Sequence, residues 1–307
     1  NGVFGKVQSV ANVATNGAAP KLAKFDAQTS AGSTTALVLN AQLAAAGQLH
    51  YVVLPAGSPA PKDGAAIKAA EGAAAKGTAE VKAANKAESI DVAEGLAAGT
   101  AYDVYAVSET PGSNGVYGAV SPKATVATHK DAPQLAEAVA TPADGSATSF
   151  ELNYQLGATG LLHYAAFAAD SPAPKDGAAV KAAAGAKAKG TVNVAVANNN
   201  NGEMIKAGLA AGTKYDVYVV AETVDSKGVF GAVSKKIEVE THKEAPKLSG
   251  VAAKPTDGSA TAFSIEHQLS GEGMLHYAVV AKDAEAPKDG AGVKAAAGAK
   301  AKGTVTV

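Results

Sequence analysis

The chain has 307 residues, of which 47% are apolar and 18% charged, so it holds enough apolar residues for two or three domains with cores and is not a disordered protein. A formal net charge of −1, with lysine as the only strongly basic residue type, argues against nucleic-acid binding and against bidentate recognition of phosphate. The absence of cysteine excludes a disulfide scaffold and a cysteine nucleophile, and no apolar run reaches the roughly 18 residues that a membrane span needs.

An internal repeat of 113 residues organises the chain. The tripeptide Leu49–Tyr51 returns as Leu162–Tyr164 and again as Leu275–Tyr277, and the register holds without insertion or deletion. A period of this length is typical of an independent domain rather than of a solenoid unit. We therefore predict four parts: residues 1–15, the last strand of a truncated repeat; 16–128 and 129–241, two full repeats; and 242–307, the N-terminal part of a further repeat.

Short links join the repeats. Thr128–Pro133 and Thr241–Pro246 share the pattern Thr-x-Lys-x-Ala-Pro, in which proline stiffens the passage from one repeat to the next. Adjacent repeats are therefore expected to hold a restricted orientation. Because the first and last parts lack strands that a closed domain needs, we also expect the chain to be a segment of a longer covalent array of repeats.

The sequence pattern that predicts strands is clearest in the middle repeat. Ser149–Leu156 alternates apolar and polar residues, as a strand with one buried face does, and polar turns are expected at Pro142–Gly145 and Asn198–Gly202. Seven strands joined by short turns predict an all-β fold of tandem seven-stranded antiparallel β-sandwiches. The strands other than Ser149–Leu156 are predicted near Leu135–Ala140, Leu161–Ala169, Thr191–Ala197, Glu203–Lys206, Tyr215–Glu222 and Val233–Thr241.

One segment of each repeat predicts a short Ala-rich helix inserted between two strands. In the middle repeat it runs from a capping Asp176 through strong helix formers to Gly185, and its copies begin near Asp63 and Asp289. Such a short helix needs packing to be stable. We expect it to pack against the sheet edge through the apolar residues Ile67, Val180 and Val293.

Two segments carry a family resemblance. Leu96–Tyr105 and Leu209–Tyr218 resemble the Leu-x-Pro-Gly-Thr-x-Tyr signature of fibronectin type III-like domains, with alanine in place of the proline. The resemblance implies that Tyr102 and Tyr215 form the corner that ties the strand entry to the preceding loop. The repeats are also similar to modules of very large secreted or surface proteins of microbes, which implies a scaffold rather than an activity.

Histidine is a common metal ligand, but the spacing of the histidines in this sequence does not favour a metal site. His50, His163 and His276 occur once per repeat, without a second histidine or an acidic partner two residues away. His129 and His242 lie in the links, where a solvated or hydrogen-bonding role is expected. The His267 position holds alanine or tyrosine in the other repeats.

Candidate calcium, phosphate and catalytic sites also lack the residue patterns that each of them needs. Asp144-Gly145 and Asp257-Gly258 lack the dense oxygen ligands of a calcium loop, so a turn is expected at each. The sequence shows no phosphate-cradling glycine motif and no nucleophile with its base. We predict no catalytic, cofactor-binding or metal residues, and no cofactor.

Tyrosines are the best binding candidates. Strict alternation along the strand after Tyr215 turns Asp216 and Tyr218 outward, and the same parity exposes Tyr105. An exposed tyrosine in every repeat stacks well on a sugar or on a neighbouring subunit. The alternative is that the ring covers a half-buried sheet face or the inserted helix, which is the ordinary role of a strand aromatic.

These features predict a non-catalytic structural protein of an extracellular filament, surface appendage or sheath. Its expected partner is itself, in a filament or lattice. The alternative is an adhesin stalk or an array of carbohydrate-binding modules that recognise surface glycans. A third interpretation is a set of accessory repeats in a secreted enzyme. All three place the chain outside the cell or at its surface.

Overall fold

The structure is a computed structural model that describes residues 5–6 and 15–307. The predicted strand within residues 1–15 falls almost entirely outside these described residues. Contacts divide the chain into two compact units. The first takes in the described residues up to Thr141, Glu151–Ile205 and Tyr215–Val239; the second takes in Pro142–Phe150, Lys206–Lys214 and Glu240–Val307. Within the described residues, no helix has both the length and the apolar character needed to span a membrane.

The first repeat is a two-sheet sandwich with one helix. A three-stranded sheet has the order β1-β2-β5, and a four-stranded sheet has the order β4-β3-β6-β7. The helix α1 (Gly64–Ala69) lies in sequence between β3 and β4. The strands are β1 (Leu22–Thr29), β2 (Leu37–Leu43), β3 (Gly47–Pro55), β4 (Ala75–Val81), β5 (Ala87–Val92), β6 (Ala101–Glu109) and β7 (Ala124–Ala127).

The second repeat has the same strand order. Its sheets are β12-β9-β8 and β11-β10-β13-β14, and its helix is α2 (Gly177–Ala182). The register also repeats, since Tyr51 pairs with Ala106 and Tyr164 pairs with Val219. The strands are β8 (Leu135–Pro142), β9 (Phe150–Leu156), β10 (Gly160–Ala168), β11 (Ala188–Val194), β12 (Asn201–Ile205), β13 (Lys214–Glu222) and β14 (Ile237–Glu240). The predicted seven-stranded sandwich is confirmed in both.

The third segment contains two strand pairs and a helix. The pairs are β15-β16 and β17-β18, each antiparallel. Their bounds, with those of the helix, are β15 (Leu248–Pro255), β16 (Phe263–Leu269), β17 (Met274–Val279), α3 (Gly290–Ala295) and β18 (Ala301–Thr306).

Three predicted elements have boundaries that are wrong by three residues or more. β11 (Ala188–Val194) begins and ends three residues before the predicted Thr191–Ala197. The other two differences have a local reason. The last strand of the second repeat begins at Ile237 and not at Val233, because the Ser234 hydroxyl accepts from the backbone N–H of Val219 at 3.0 Å and takes the place of a ladder partner. The helix ends at Ala182 and not near Gly185. Ala183 adopts a left-handed conformation there, and its N–H donates to the carbonyl of Ala179.

The inserted helix covers the outer face of the four-stranded sheet, so its predicted place at the sheet edge is wrong. Ile67 of α1 is fully buried against Val52 of β3 and against Tyr105 and Val107 of β6. Strands β3 and β6 are the two central strands of that sheet. Each complete repeat therefore has three layers: a three-stranded sheet, a four-stranded sheet and a helix.

The central strand β6 is consequently buried on both faces. All eight residues from Tyr102 to Glu109 are buried, and β13 of the second repeat shows the same pattern. One face meets the core between the sheets, where Tyr102 and Val104 pack with Leu37 and Leu39. The other face meets the helix. A polar residue on this strand must therefore find a partner inside the protein.

Candidate functional site

A buried histidine–carboxylate pair is the chief polar cluster of the first repeat. His50 comes from β3 and Glu109 ends β6, and each is only 2% exposed. The Nε2 atom of His50 lies 2.6 Å from Oε2 of Glu109. Since 59 residues separate them in sequence, only the pairing of β3 with β6 brings them together.

Two further side chains complete the cluster. The Lys68 ammonium on α1 donates to Oε2 of Glu109 at 2.9 Å, and the Thr78 hydroxyl on β4 lies 2.7 Å from Nδ1 of His50. Lys68 remains 47% exposed, so its charged end is shared between the carboxylate and solvent. The cluster thus ties the helix to three neighbouring strands of one sheet.

The second repeat reproduces the cluster. His163 Nε2 lies 2.6 Å from Glu222 Oε2, and Lys181 donates to the same oxygen at 2.7 Å. Thr191 lies 2.7 Å from Nδ1 of His163. The ring against the histidine is Tyr117 in the first repeat, at 6.2 Å, and Phe230 in the second, at 6.0 Å. Because phenylalanine has no hydroxyl, the shared contribution of this position is a packed ring.

The electrostatics favour an ionised glutamate beside a neutral histidine. Burial raises the pKa of Glu222, but hydrogen bonds from Lys181 and His163 and the Lys181 charge outweigh burial, and the pKa lies below its ordinary value. The pKa of Glu109 is lowered by the equivalent balance, with Lys68 and His50 as donors. Burial lowers the pKa of His163 more than the Glu222 carboxylate raises it. A neutral ring that donates from Nε2 and accepts at Nδ1 from the threonine hydroxyl satisfies both partners.

The cluster is internally satisfied. In the part of the chain that the structure describes, no buried side-chain nitrogen or oxygen lacks a hydrogen-bond partner, and no three histidine or acidic side chains converge as metal ligands. Its imidazole and carboxylate point at each other between the four-stranded sheet and the helix rather than into a cleft. This geometry suits a structural network that joins helix to sheet.

A second buried carboxylate fixes the loop that follows β3. Asp103 accepts from the backbone N–H of Gly57 and from the Thr125 hydroxyl, both at 2.9 Å. The Gly57 bond is the main reason that the pKa of Asp103 lies below its usual range despite burial, with Thr125 and Lys123 contributing. In the second repeat Asp216 accepts from the N–H of Asp170 at 2.9 Å. The prediction that Asp216 faces solvent is therefore wrong.

The tyrosine corner is confirmed in the first repeat. The Tyr102 hydroxyl accepts from the backbone N–H of Ala97 at 2.8 Å and ties the start of β6 to the loop before it. Tyr215, its counterpart, is likewise buried at the start of β13.

The tyrosines proposed to face outward are buried. Tyr105 and Tyr218 are each 5% exposed. Tyr105 packs beneath Ile67 of α1, and Tyr218 packs with Val180 of α2 and, edge to face, with Phe167. Parity along the strand was predicted correctly, but the inserted helix covers the face that sequence alternation assigns to solvent. The alternative interpretation of these rings is confirmed.

The other histidines lie apart from the cluster. The backbone carbonyl of His129 accepts a hydrogen bond from the N–H of Gly99, and the carbonyl of His242 accepts one from the N–H of Gly212, each at 2.9 Å. His267 lies half-buried on β16. His276 on β17 lies 2.7 Å from the Thr304 hydroxyl.

Both Asp-Gly segments are turns, as predicted. Gly145 and Gly258 take positive φ values of 72° and 76°, which the turn geometry requires. The turn predicted at Asn198–Gly202 lies nearer to β11: Asn198 adopts a left-handed conformation, and Asn201 and Gly202 already belong to β12.

The sequence did not reveal the glutamate and lysine of the cluster. Glu109 and Glu222 are each the last residue of a strand, and an acidic residue at that position is usually interpreted as solvent-exposed. The signal that marks them is the repetition of His, Lys and Glu at the same offsets in two repeats.

Comparison with known proteins rests on structure. No family model and no curated protein sequence matches the chain. Among solved structures, the chain is similar to the FN1-FN3 domains of chicken CNTN1, with 15% identity, a TM-score of 0.46, and coverage of 74% of this chain and 66% of that one. It is also similar to the human OSCAR ligand-binding domain, with 14% identity, a TM-score of 0.25, and coverage of 72% and 99%. The two antiparallel sheets and the tyrosine corner of this chain are features of the immunoglobulin-like β-sandwich, an architecture that fibronectin type III domains share.

Proposed function

We propose that the chain is a run of non-catalytic structural repeats of an extracellular filament, surface appendage or sheath. The observation that carries this proposal is the way in which the link between the first two repeats is held. Two consecutive link residues are bound by the repeat before and the repeat after, so the link transmits orientation.

The preceding repeat holds the first of these residues. The N–H of Gly99, in the loop before β6, donates to the carbonyl of His129 at 2.9 Å. Gly99 has a φ of 59°, and a Cβ on it would lie 2.9 Å from Lys130 Cγ, so the loop needs glycine to meet the link.

The following repeat binds the second of these link residues, Lys130. The Thr223 hydroxyl donates to the carbonyl of Lys130 at 3.1 Å. Pro133 then packs over Gly160 at the start of β10, where a Cβ would lie 2.5 Å from its ring. A link bound at both ends and stiffened by proline has little freedom to bend.

The surface chemistry supports assembly. A net charge of −1 gives weak mutual repulsion, and small side chains let neighbouring surfaces approach closely. Identical repeats offer the same contact at a regular spacing, so one weak contact is multiplied along the chain. The buried tyrosines, in contrast, remove the stacking surface on which the glycan-binding alternative was based.

Light scattering and electron microscopy of the purified chain test the proposal over a range of concentration and salt. We expect ordered assemblies whose formation changes little with salt, because few ion pairs are available to be screened. A chain that stays monomeric at all concentrations, together with native material that shows no ordered contacts, contradicts the filament and leaves a spacer.

A further inference from the structure

A turn of the first repeat touches a loop of the second repeat, at a distance from the link. The N–H of Gly32, in the turn between β1 and β2, donates to the carbonyl of Ser226, in the loop between β13 and β14, at 2.8 Å. This hydrogen bond joins backbone to backbone, so it depends on the shape of both loops rather than on one side chain.

Glycines occupy the point of closest approach. A Cβ at Gly228 would lie 3.4 Å from Cα of Gly32, and a larger side chain would extend into that turn. The two glycines have φ values of 135° and 72°. Their lack of side chains lets the two backbones meet.

The matching loop of the first repeat shows what the contact covers. Ser226 is fully buried and Val229 is 6% exposed. Ser113 and Val116 hold the same positions in the first repeat and are only half-buried. The loops have the same local bonds, since the Ser226 hydroxyl accepts from Val229 and the Ser113 hydroxyl from Val116. The turn at Gly32 therefore accounts for the extra burial of the second loop.

We propose that the turn between the first two strands of one repeat is a docking surface whose partner is the loop before the last strand of the following repeat. With the two bonds to the link, it makes a three-point joint that fixes the angle between the first and second repeats. The covalent link holds the two partners of the Gly32 bond at high effective concentration, which favours its formation. The joint does not depend on filament formation.

Distance measurements between spin labels on the full chain test this joint. Because the chain has no cysteine, Lys62→Cys and Lys175→Cys place labels at equivalent exposed positions of the two repeats and nowhere else. We expect one narrow distance distribution. Gly228→Val should at least about double its width, because the loop can no longer receive the turn and independent motion is the default for linked domains.

Gly115→Val is the matched control. Gly115 has the same backbone conformation, with a φ of 133°, but its nearest neighbour is Tyr117 of its own repeat, 4.0 Å from where a Cβ would lie. Both variants carry the same strain, so only a joint predicts that Gly228→Val broadens the distribution and Gly115→Val does not. Equal broadening, or none in either variant, overturns the proposal.

A second pair of variants tests the joint if Gly228→Val unfolds the second repeat. Gly32→Leu fills the turn from the other side, and Gly145→Leu is its control, since Gly145 also has a φ of 72° but no atom within 4 Å of a Cβ. Broadening with Gly32→Leu alone supports the joint. A distribution unchanged by Gly32→Leu contradicts it, whatever the assembly state of the chain.

Discussion

Glu222 is a buried carboxylate with two donors on one oxygen. His163 approaches Oε2 at 2.6 Å from within the sheet, and Lys181 approaches it at 2.7 Å from the helix. The two donors differ in exposure, because His163 is buried whereas the Lys181 side chain is 45% exposed. Removing the carboxylate leaves a buried imidazole N–H without a partner, while removing the lysine leaves a carboxylate that still accepts from His163.

Glu222→Ala should therefore cost much more than Lys181→Ala. We expect the first to lower the free energy of unfolding of the second repeat by about 3 kcal/mol, and the second by less than about 1 kcal/mol. Hydrogen exchange measured by mass spectrometry on peptides from β10 and β13 gives the local values. Equal losses in both variants would show that the exposed lysine, and not the buried pair, holds the network.

The same cluster makes the second repeat sensitive to acid. The pKa of His163 is lowered by burial, so the unfolded chain binds a proton more readily, and stability falls as the pH drops through about 6.5. The pKa of Glu222 is also lowered, so its contribution is lost in turn below about 4.3. Exchange protection in β10, corrected for intrinsic rates, should decrease between pH 7 and pH 5. His163→Gln should remove that decrease, and a decrease of the same size in this variant would contradict the assignment.

At the scale of elements, the inserted helix has six residues and depends on its cap and its packing. The Asp63 carboxylate accepts from the N–H of Ala66 at 2.8 Å, and Ile67 is fully buried beneath it. So short a helix is not stable alone, since nucleation costs more than two turns return. Its position therefore depends on the sheet face that it covers.

Ile67→Ala tests that dependence. The cavity left over β3 and β6 should lower the free energy of unfolding by about 3 kcal/mol. It should also expose Tyr105 to tetranitromethane, which the intact helix shields. Ile67→Val, expected to cost about 1 kcal/mol, is the conservative control. Unchanged nitration of Tyr105 in Ile67→Ala would mean that the ring is shielded by something other than the helix.

At the scale of the whole molecule, the described repeats are stabilised by apolar layers and by buried polar networks that side chains satisfy. The first repeat shows both, in the core around Leu37 and Val104 and in the pair His50–Glu109. No three potential metal ligands converge in the described residues, and the sequence has no cysteine. We therefore predict that these repeats fold on groups that the chain itself supplies.

Excess chelator should consequently leave the thermal unfolding of the chain unchanged. A metal that contributes to folding adds its binding free energy to stability, so its removal shifts the transition. Calorimetry with and without chelator, followed by addition of calcium or zinc, measures any such shift. A melting temperature that falls in chelator and recovers with one metal would reveal a site.

Much of the fold could be predicted from sequence, because its signals are local. The alternation at Phe150–Leu156, the capping Asp176 and the turn at Gly145 each reflect the backbone preferences of a few neighbouring residues. The 113-residue period then carried those predictions from one repeat to the next. The tyrosine corner at Tyr102 was found through a resemblance that is equally local.

Tertiary structure alone decided which faces are covered and which charges meet. Whether Tyr105 faces solvent depends on where α1 packs, and the helix packs on the sheet face, where the apolar side chain of Ile67 is fully buried. His50 and Glu109 are 59 residues apart and meet only through strand pairing. The contact between Gly32 and Ser226 joins two repeats. Sequence patterns record what neighbours along the chain prefer, whereas burial and long-range pairing arise only when distant segments pack against each other.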